Sequence, residues 1–311
     1  MQRKVFTIGT TTFDIFFKQD KPEEARVGGS ALNTSISLAR LGIPVSFITE
    51  LGSDKIGDIS YQFMQDNGIN TSCITRYKGL SRVALAFLDH DNNAEYALYK
   101  ATGSASCHNI PKINEDDIFV FGSSFSVKES NRKLLKSIIA EAHKNKAIVI
   151  YDPNFRDSQT HQNGNIKKFV EENFNQADIV KGSNEDFNNL FGITSSGETW
   201  KKLQPFNISA LVFTANKNDV NIHQQKQSQR FQVPHINPKS TVGAGDNFTA
   251  GLIYGLLKNE ITHESLNHIE TEIWHDIAGY GISFAQEVCK SYDNYLSKDF
   301  ASRFTRPKKQ K

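Results

Sequence analysis

The sequence predicts an α/β protein: a mostly parallel central sheet covered by helices on both faces, with a small separate β-layer. Two observations carry this. Short apolar runs alternate with segments of helical periodicity through most of the 311 residues, and strands that alternate with helices pair in parallel beneath helical layers. Two further β-prone pieces, near residues 10–26 and 83–100, fall outside that alternation and form the separate layer. The length fits one large domain, residues 1–311, since domains hold about 100–200 residues and α/β domains exceed that.

Taken in order, Val5 to Ile8 reads as a short buried strand ending at Gly9, and Asp14 to Lys18 as a second apolar run. The charged stretch Gln19 to Arg26 bounds it. After Gly28-Gly29 the period becomes helical, with Leu32, Ile36, Leu38 and Ala39 on one face, and Gly42 with Pro44 stops the helix. Val45–Ile48 is strand-like, and residues 58–65 are helical. Val83–Leu88 and Tyr96–Tyr99 flank the turn-prone Asp89 to Asn93 as a hairpin. The alternation then runs strand 118–121, helix 131–145, strand 147–151, helix 166–174, strand 178–180, helix 185–190 and strand 210–214. A hairpin over 219–233, a helix over 244–257 and a long helical region over 269–289 complete the chain.

Composition excludes several classes. Hydrophobic residues at 38% and charged residues at 23% supply a core without disulfide or metal staples. Lys and Arg number 36 against 34 Asp and Glu, and a formal charge of +2 gives no electrostatic footprint for nucleic acid. The basic tail Arg306 to Lys311 reads as a solvated terminus. Cys73, Cys107 and Cys289 are scattered, with no disulfide framework or zinc spacing, and His108 and His275 lack metal-ligand partners in sequence. The start MQRKVFTIG is too short an apolar run for a signal peptide, and no segment approaches 18 uninterrupted apolar residues. These features predict a cytoplasmic protein with no membrane and no nucleic-acid partner.

The chemistry is concentrated in Ser240-Thr241-Val242-Gly243-Ala244-Gly245-Asp246, which runs straight into an apolar helix. Small residues at a helix start leave backbone N–H groups clustered and approachable, and the helix dipole favours an anion there. Asp246 would repel a phosphate, so it reads either as a general base beside that anion hole or as a helix cap. Neither the Walker-type phosphate loop nor the dinucleotide fingerprint is present. An earlier segment, Gly28-Gly29-Ser30-Ala31-Leu32-Asn33, also opens a helix with glycine, and Asn33 has the chemistry to bond a hydroxyl.

With these two motifs in this order, the chain resembles the ribokinase-like, PfkB-type carbohydrate kinases. The resemblance runs from Val5 to about Cys289 and includes Asp152-Pro153-Asn154-Phe155-Arg156 and the segment from Lys181 to Asp186. It implies a three-layer sandwich with a β-sheet lid built from insertions near 10–26 and 83–100. It also implies transfer of the γ-phosphoryl group of ATP, with Mg2+, to a hydroxyl of a small sugar such as fructose or ribose. The family base falls on Asp246 and the anion hole on Gly243, Ala244 and Gly245. Sugar contacts fall on Asp14, Gly28, Gly29 and Asn33, and nucleotide contacts on Asn184, Thr214, Gly243 and Gly245. Arg156, at the exit of a strand, is expected to bind substrate. A nucleoside kinase of the same fold and an idle sugar-binding regulatory protein are the alternatives, and a homodimer through the lid is implied by analogy.

The pattern is not intact. Ser240 stands where many family members carry an Asp beside a monovalent cation, which predicts weak potassium dependence. The loop Thr214 to Asp219 lacks the family's usual glycines. The family's Asn-x-x-Glu motif is matched only by Ser183-Asn184-Glu185-Asp186, with Asp186 reaching magnesium through water or, equally, serving as a first-turn helix residue.

Overall fold

A computed structural model describes residues 2–88, 94–104, 109–155, 165–215, 218–225 and 227–305. In chain order its strands are β1 (Val5–Ile8), β2 (Thr12–Lys18), β3 (Lys21–Gly28), β4 (Val45–Gly52), β5 (Ile74–Tyr77), β6 (Val83–Leu88) and β7 (Ala94–Tyr99). They continue with β8 (Ile118–Gly122), β9 (Ile148–Asp152), β10 (Ile179–Ser183), β11 (Ala210–Thr214), β12 (Asp219–Gln224) and β13 (Gln227–Gln232). The helices are α1 (Ser30–Arg40), α2 (Lys55–Asp66), α3 (Ser123–Ser126), α4 (Arg132–Lys144) and α5 (Ile166–Phe174), then α6 (Asn184–Phe191), α7 (Ser196–Leu203), α8 (Ala244–Lys258), α9 (Thr271–Val288) and α10 (Lys298–Thr305).

The large sheet has the order β13-β12-β11-β10-β9-β8-β1-β4-β5. Every neighbouring pair from β11 to β5 is parallel, and the pairs β11–β12 and β12–β13 at one edge are antiparallel. Both faces are covered. Along β9, Ile148 and Ile150 join a core with α1, α8, α9 and α10, while Val149 and Tyr151 join a second core with α4 to α7. The period-two alternation of a strand therefore feeds two separate cores, and each fully buried aliphatic or aromatic side chain contributes about 1.5–3 kcal/mol. The small sheet has the order β3-β2-β6-β7, drawn from the two segments that stand outside the alternation.

The structure adds elements that periodicity passed over. The stretch Lys21–Gly28, expected as a charged boundary, is β3. It is an edge strand, where Pro22 costs no ladder bond and Glu23 and Glu24 face solvent. Edge strand β5 and the short helices α7 and α10 bury too few residues each to leave a periodic signature. The helix expected at 58–65 begins earlier, at Lys55, because the Asp54 side chain accepts the Gly57 N–H and caps it. Cys73 and Cys289 are buried free thiols, whereas Cys107 and His108 lie outside the described residues. His275 packs edge-on against Phe231.

Strand order reverses beside β1: the chain moves outward through β4 and β5 on one side, and through β8 to β11 on the other. In open parallel sheets the crevice beyond the carboxyl ends at such a point receives ligands. Gly9 to Thr11, Asp152 to Phe155, Gly182 to Asp186 and Thr214 all leave strands at that edge.

Candidate active site

Two helix starts meet above this edge. Helix α8 begins at Gly243, whose φ of 80° lies in the left-handed region glycine tolerates, and no side chain caps it. Asp246 therefore does not cap its own helix. Its carboxylate, in a residue 8% exposed, instead crosses to α1, where Ser30 Oγ donates to Oδ1 at 2.5 Å and Asn33 Nδ2 donates to Oδ2 at 2.8 Å. Thr34 Oγ1 donates to the Asp246 carbonyl at 2.9 Å. Burial pushes the Asp246 carboxyl above the usual carboxylate range, against the pull of the Ser30 and Asn33 hydrogen bonds. Asn154 Nδ2 donates to Ser30 Oγ at 2.8 Å, extending the network to the exit of β9.

The backbone of the α8 turn faces a cleft of about 1050 Å³. Ala244 N–H, one of the three expected of an anion hole, closes a turn onto Thr241 O at 3.2 Å. Gly243, Gly245 and Asp246 keep N–H groups with no partner among the described residues. Gly243 itself is irreplaceable on steric grounds: a Cβ there would lie 2.7 Å from the carbonyl oxygen of Asn294. Thr214 lines the same cleft, its hydroxyl 3.5 Å from the Gly182 carbonyl.

Asp14, on β2, pairs in register with Arg26 of β3, and its carboxyl reaches the space over Gly28. A Cβ on Gly28 would sit 2.3 Å from Asp14 Oδ2, so the glycine makes room for the carboxylate. Burial raises the Asp14 carboxyl to about 7, with Arg26 opposing. Arg26 stacks over the Phe16 ring and pairs with Glu24. Gly29 has a φ of 127°, and a Cβ there would meet Thr10 O at 2.4 Å. The Gly28-Gly29 pair thus divides its work between accommodating a side chain and accommodating the main chain.

Some expected roles shift. Asn33 gives one Nδ2 N–H to Asp246, and its buried Oδ1, without a protein partner among the described residues, can accept from a hydroxyl. Asn184 does not line this cleft, although its neighbours Ser183, Glu185 and Asp186 do. Asp186 forms a capping box: Oδ2 accepts from Ser183 N and Oγ at 2.7 Å each, and Oδ1 accepts from Phe155 N at 2.6 Å. The first-turn alternative for Asp186 is therefore realised. No cluster of three or more His, Cys, Asp or Glu that could hold a metal exists among the described residues. Arg156 lies outside the described residues.

A second buried constellation was not singled out residue by residue from the sequence. Lys181, 4% exposed, donates to Asp152 Oδ2 at 3.0 Å, and Thr249 Oγ1 donates to the same oxygen at 2.8 Å. The available signal was a lysine inside the apolar strand Ile-Val-Lys-Gly-Ser.

The model of the pfkB family of carbohydrate kinases matches residues 2–268 of this chain. The chain belongs to that family. This carbohydrate kinase is 26% identical over 241 residues to probable fructokinase-2 of Arabidopsis thaliana, covering 75% of the chain and 73% of the relative. It is 25% identical over 245 residues to the 5-dehydro-2-deoxygluconokinase of Clostridium perfringens, covering 75% and 72%. Among solved structures, the fructokinase of Vibrio cholerae with fructose, ADP and calcium superposes with a TM-score of 0.84 at 19% identity, over 98% of this chain and 99% of that one. The aminoimidazole riboside kinase of Salmonella enterica superposes at 0.83 and 19%, over 98% and 100%. These structural likenesses establish the ribokinase-like fold. No helix among the described residues is long and apolar enough to cross a membrane.

Proposed function

We propose that this carbohydrate kinase transfers the γ-phosphoryl group of ATP to a hydroxyl of a small sugar, with fructose or a related ketose, then ribose, as first candidates. The observation that carries the reading is Asp246: a buried carboxylate, aligned by Ser30 and Asn33, beside unpartnered N–H groups at the start of α8. Both carboxylate oxygens retain lone pairs after those bonds. The sugar hydroxyl gives its proton to Asp246 as its oxygen attacks the γ-phosphorus. The new O–P bond forms while the bond to the bridging oxygen breaks, and that electron pair leaves on ADP. The N–H groups of Gly243, Gly245 and Asp246, with Ala244 once its turn contact yields, hold the transferring oxygens.

Asp14 accepts hydrogen bonds from other hydroxyls of the sugar, with Gly28 and Gly29 shaping the approach and Asn33 Oδ1 accepting a further one. Thr214 serves the nucleotide side. Mg2+ supplies charge neutralisation on the phosphates; the residues present suit an ion that arrives with the nucleotide and keeps its waters, with Asp186 reaching it only through water. A cytoplasmic setting fits this chemistry, because ATP is the co-substrate. The edge strand β7, whose Leu98 and Tyr99 are exposed (63% and 59%) on opposite faces, offers an edge for a second copy of the small sheet.

The test is ATP consumption against a panel of sugars and nucleosides, with and without magnesium. Magnesium-dependent turnover on a sugar supports the reading. Turnover on a nucleoside alone would move it to a nucleoside kinase, and none on any acceptor to a binding protein.

A further inference from the structure

We propose that Arg26 is a further specificity-determining residue, which donates a hydrogen bond to the same sugar hydroxyl from which Asp14 accepts one. This rests on the kinase reading above, with Asp14 as a sugar contact. Arg26 and Asp14 are partners in register across the antiparallel pair β2–β3, so their side chains leave the small sheet on the same face. Gly28 lies on that face too, two residues beyond Arg26, and leaves room for the Asp14 carboxyl. The charge of Arg26 reaches Asp14 and opposes the effect of burial there. Yet the one side-chain acceptor that the guanidinium meets among the described residues is Glu24, through Nη2.

Arg26 is 7% exposed, and its guanidinium lies over the Phe16 ring, 4.8 Å from the centroid. Nε and Nη1 are buried and have no partner among the described residues. Buried donors are paired in the great majority of native proteins, and a charged one is costly to leave unpaired. A second such group stands nearby. Asn294, 2% exposed, has its Nδ2 3.6 Å from the point a Gly28 Cβ would occupy, and its buried Oδ1 is without a partner among the described residues. A purely structural role explains Arg26 poorly, because an ion pair with a carboxylate as exposed as Glu24 contributes little.

The chemistry of the pair selects what it binds. A carboxylate accepts and a guanidinium donates, and a single hydroxyl satisfies both. An ether or carbonyl oxygen would serve Arg26 but leave Asp14 unmet. A carboxylate on the ligand would face Asp14 and Glu24 together, with Arg26 alone to balance them. This end of the sugar is therefore a hydroxyl and not an acid group.

The test is Arg26→Met, which keeps a long stem over Phe16 and leaves Glu24, its side chain 52% exposed, in water. Steady-state kinetics use the sugar that the wild-type chain phosphorylates and each of its monodeoxy analogues. They are run at about pH 9, above the folded value of about 7 for Asp14, so that loss of the neighbouring charge leaves its ionisation unchanged. KM for the parent sugar should rise by about tenfold or more, with kcat and KM for ATP nearly unaltered, because the contact is made equally before and during transfer. On one monodeoxy analogue, the one lacking the shared hydroxyl, wild type and variant should have the same KM. A KM unmoved by the substitution, or a penalty equal on every analogue, would overturn the assignment. So would a sugar acid preferred over its neutral counterpart by the wild type alone. Should Arg26→Met fail to fold, Arg26→Lys decides: it keeps the charge beside Asp14 but displaces the donors, and a wild-type KM on every analogue equally overturns the assignment. A wild-type chain that phosphorylates no acceptor overturns the parent kinase reading instead, a result separate from a working kinase indifferent to Arg26.

Discussion

Helices α1 and α8 begin alike and serve opposite ends. Each is preceded by a glycine at positive φ, Gly29 at 127° and Gly243 at 80°, and neither start has a side-chain cap. At α1 the first-turn side chains of Ser30 and Asn33 turn to an anion the protein already owns, the carboxylate of Asp246. At α8 the backbone N–H groups face the open cleft, and the anion they suit must come from outside. One helix start is closed on a resident charge and so is a support; the other is left incomplete and so is the candidate site. A glycine-led helix start is therefore no evidence of function until its donors are followed to their acceptors.

Breaking the link between the two starts should have the largest effect. Asp246→Asn keeps the size of the side chain and so the packing between α1 and α8, while removing the proton acceptor. Turnover should fall by about 10²–10⁴-fold with sugar and nucleotide affinities nearly unchanged, as read by steady-state kinetics and calorimetry. A stable, active Asn variant would reduce Asp246 to a strut between the helices.

The two glycines before α1 should separate stability from binding. Gly29→Ala forces a Cβ onto Thr10 O at a positive φ, so it should destabilise the fold by more than about 1 kcal/mol, seen as a lower Tm. Gly28→Ala clashes with the movable carboxyl of Asp14, its other neighbour Asn294 Nδ2 lying at an ordinary 3.6 Å, and should leave Tm close to wild type. It should raise KM for the sugar several-fold instead, because Asp14 must swing away.

A smaller effect is expected from pH. The folded-state value of about 7 for Asp14 lies above the ordinary 3.8, so the folded protein holds that proton more tightly than the unfolded chain. The sign follows from linkage: this group favours folding below about pH 4, and its contribution declines as pH rises toward 7. Binding runs the other way, since the ionised carboxylate is the stronger acceptor of hydroxyl hydrogen bonds. KM for the sugar should therefore increase as pH drops below about 7, and this step should vanish in Asp14→Asn. The smallest change belongs to the monovalent cation. Ser240, whose Oγ accepts only the Val242 N–H at 3.2 Å among the described residues, brings no formal charge. Exchanging potassium for sodium at constant ionic strength should alter kcat less than twofold; a strong potassium requirement would show that neutral oxygens suffice there.

The sequence by itself determined the α/β class, both glycine-led helix starts and Asp246. These are local signals: apolar runs bounded by glycine and proline, and a carboxylate next to small residues at the head of an apolar helix. It left Asp246 undecided between base and cap; the cap is set aside by bonds to residues more than two hundred positions away. Ser30 and Asn33 reach Asp246 only because the sheet places the segment after β3 beside the start of α8. Phe155 N, 31 residues distant, likewise joins the capping box in fixing the Asp186 carboxylate. Lys181 and Asp152 belong to neighbouring strands, and nothing in either strand's own pattern says that they pair. Periodicity reports which face of an element is buried; which polar groups share that burial depends on strand order and register, and only the tertiary structure decides it.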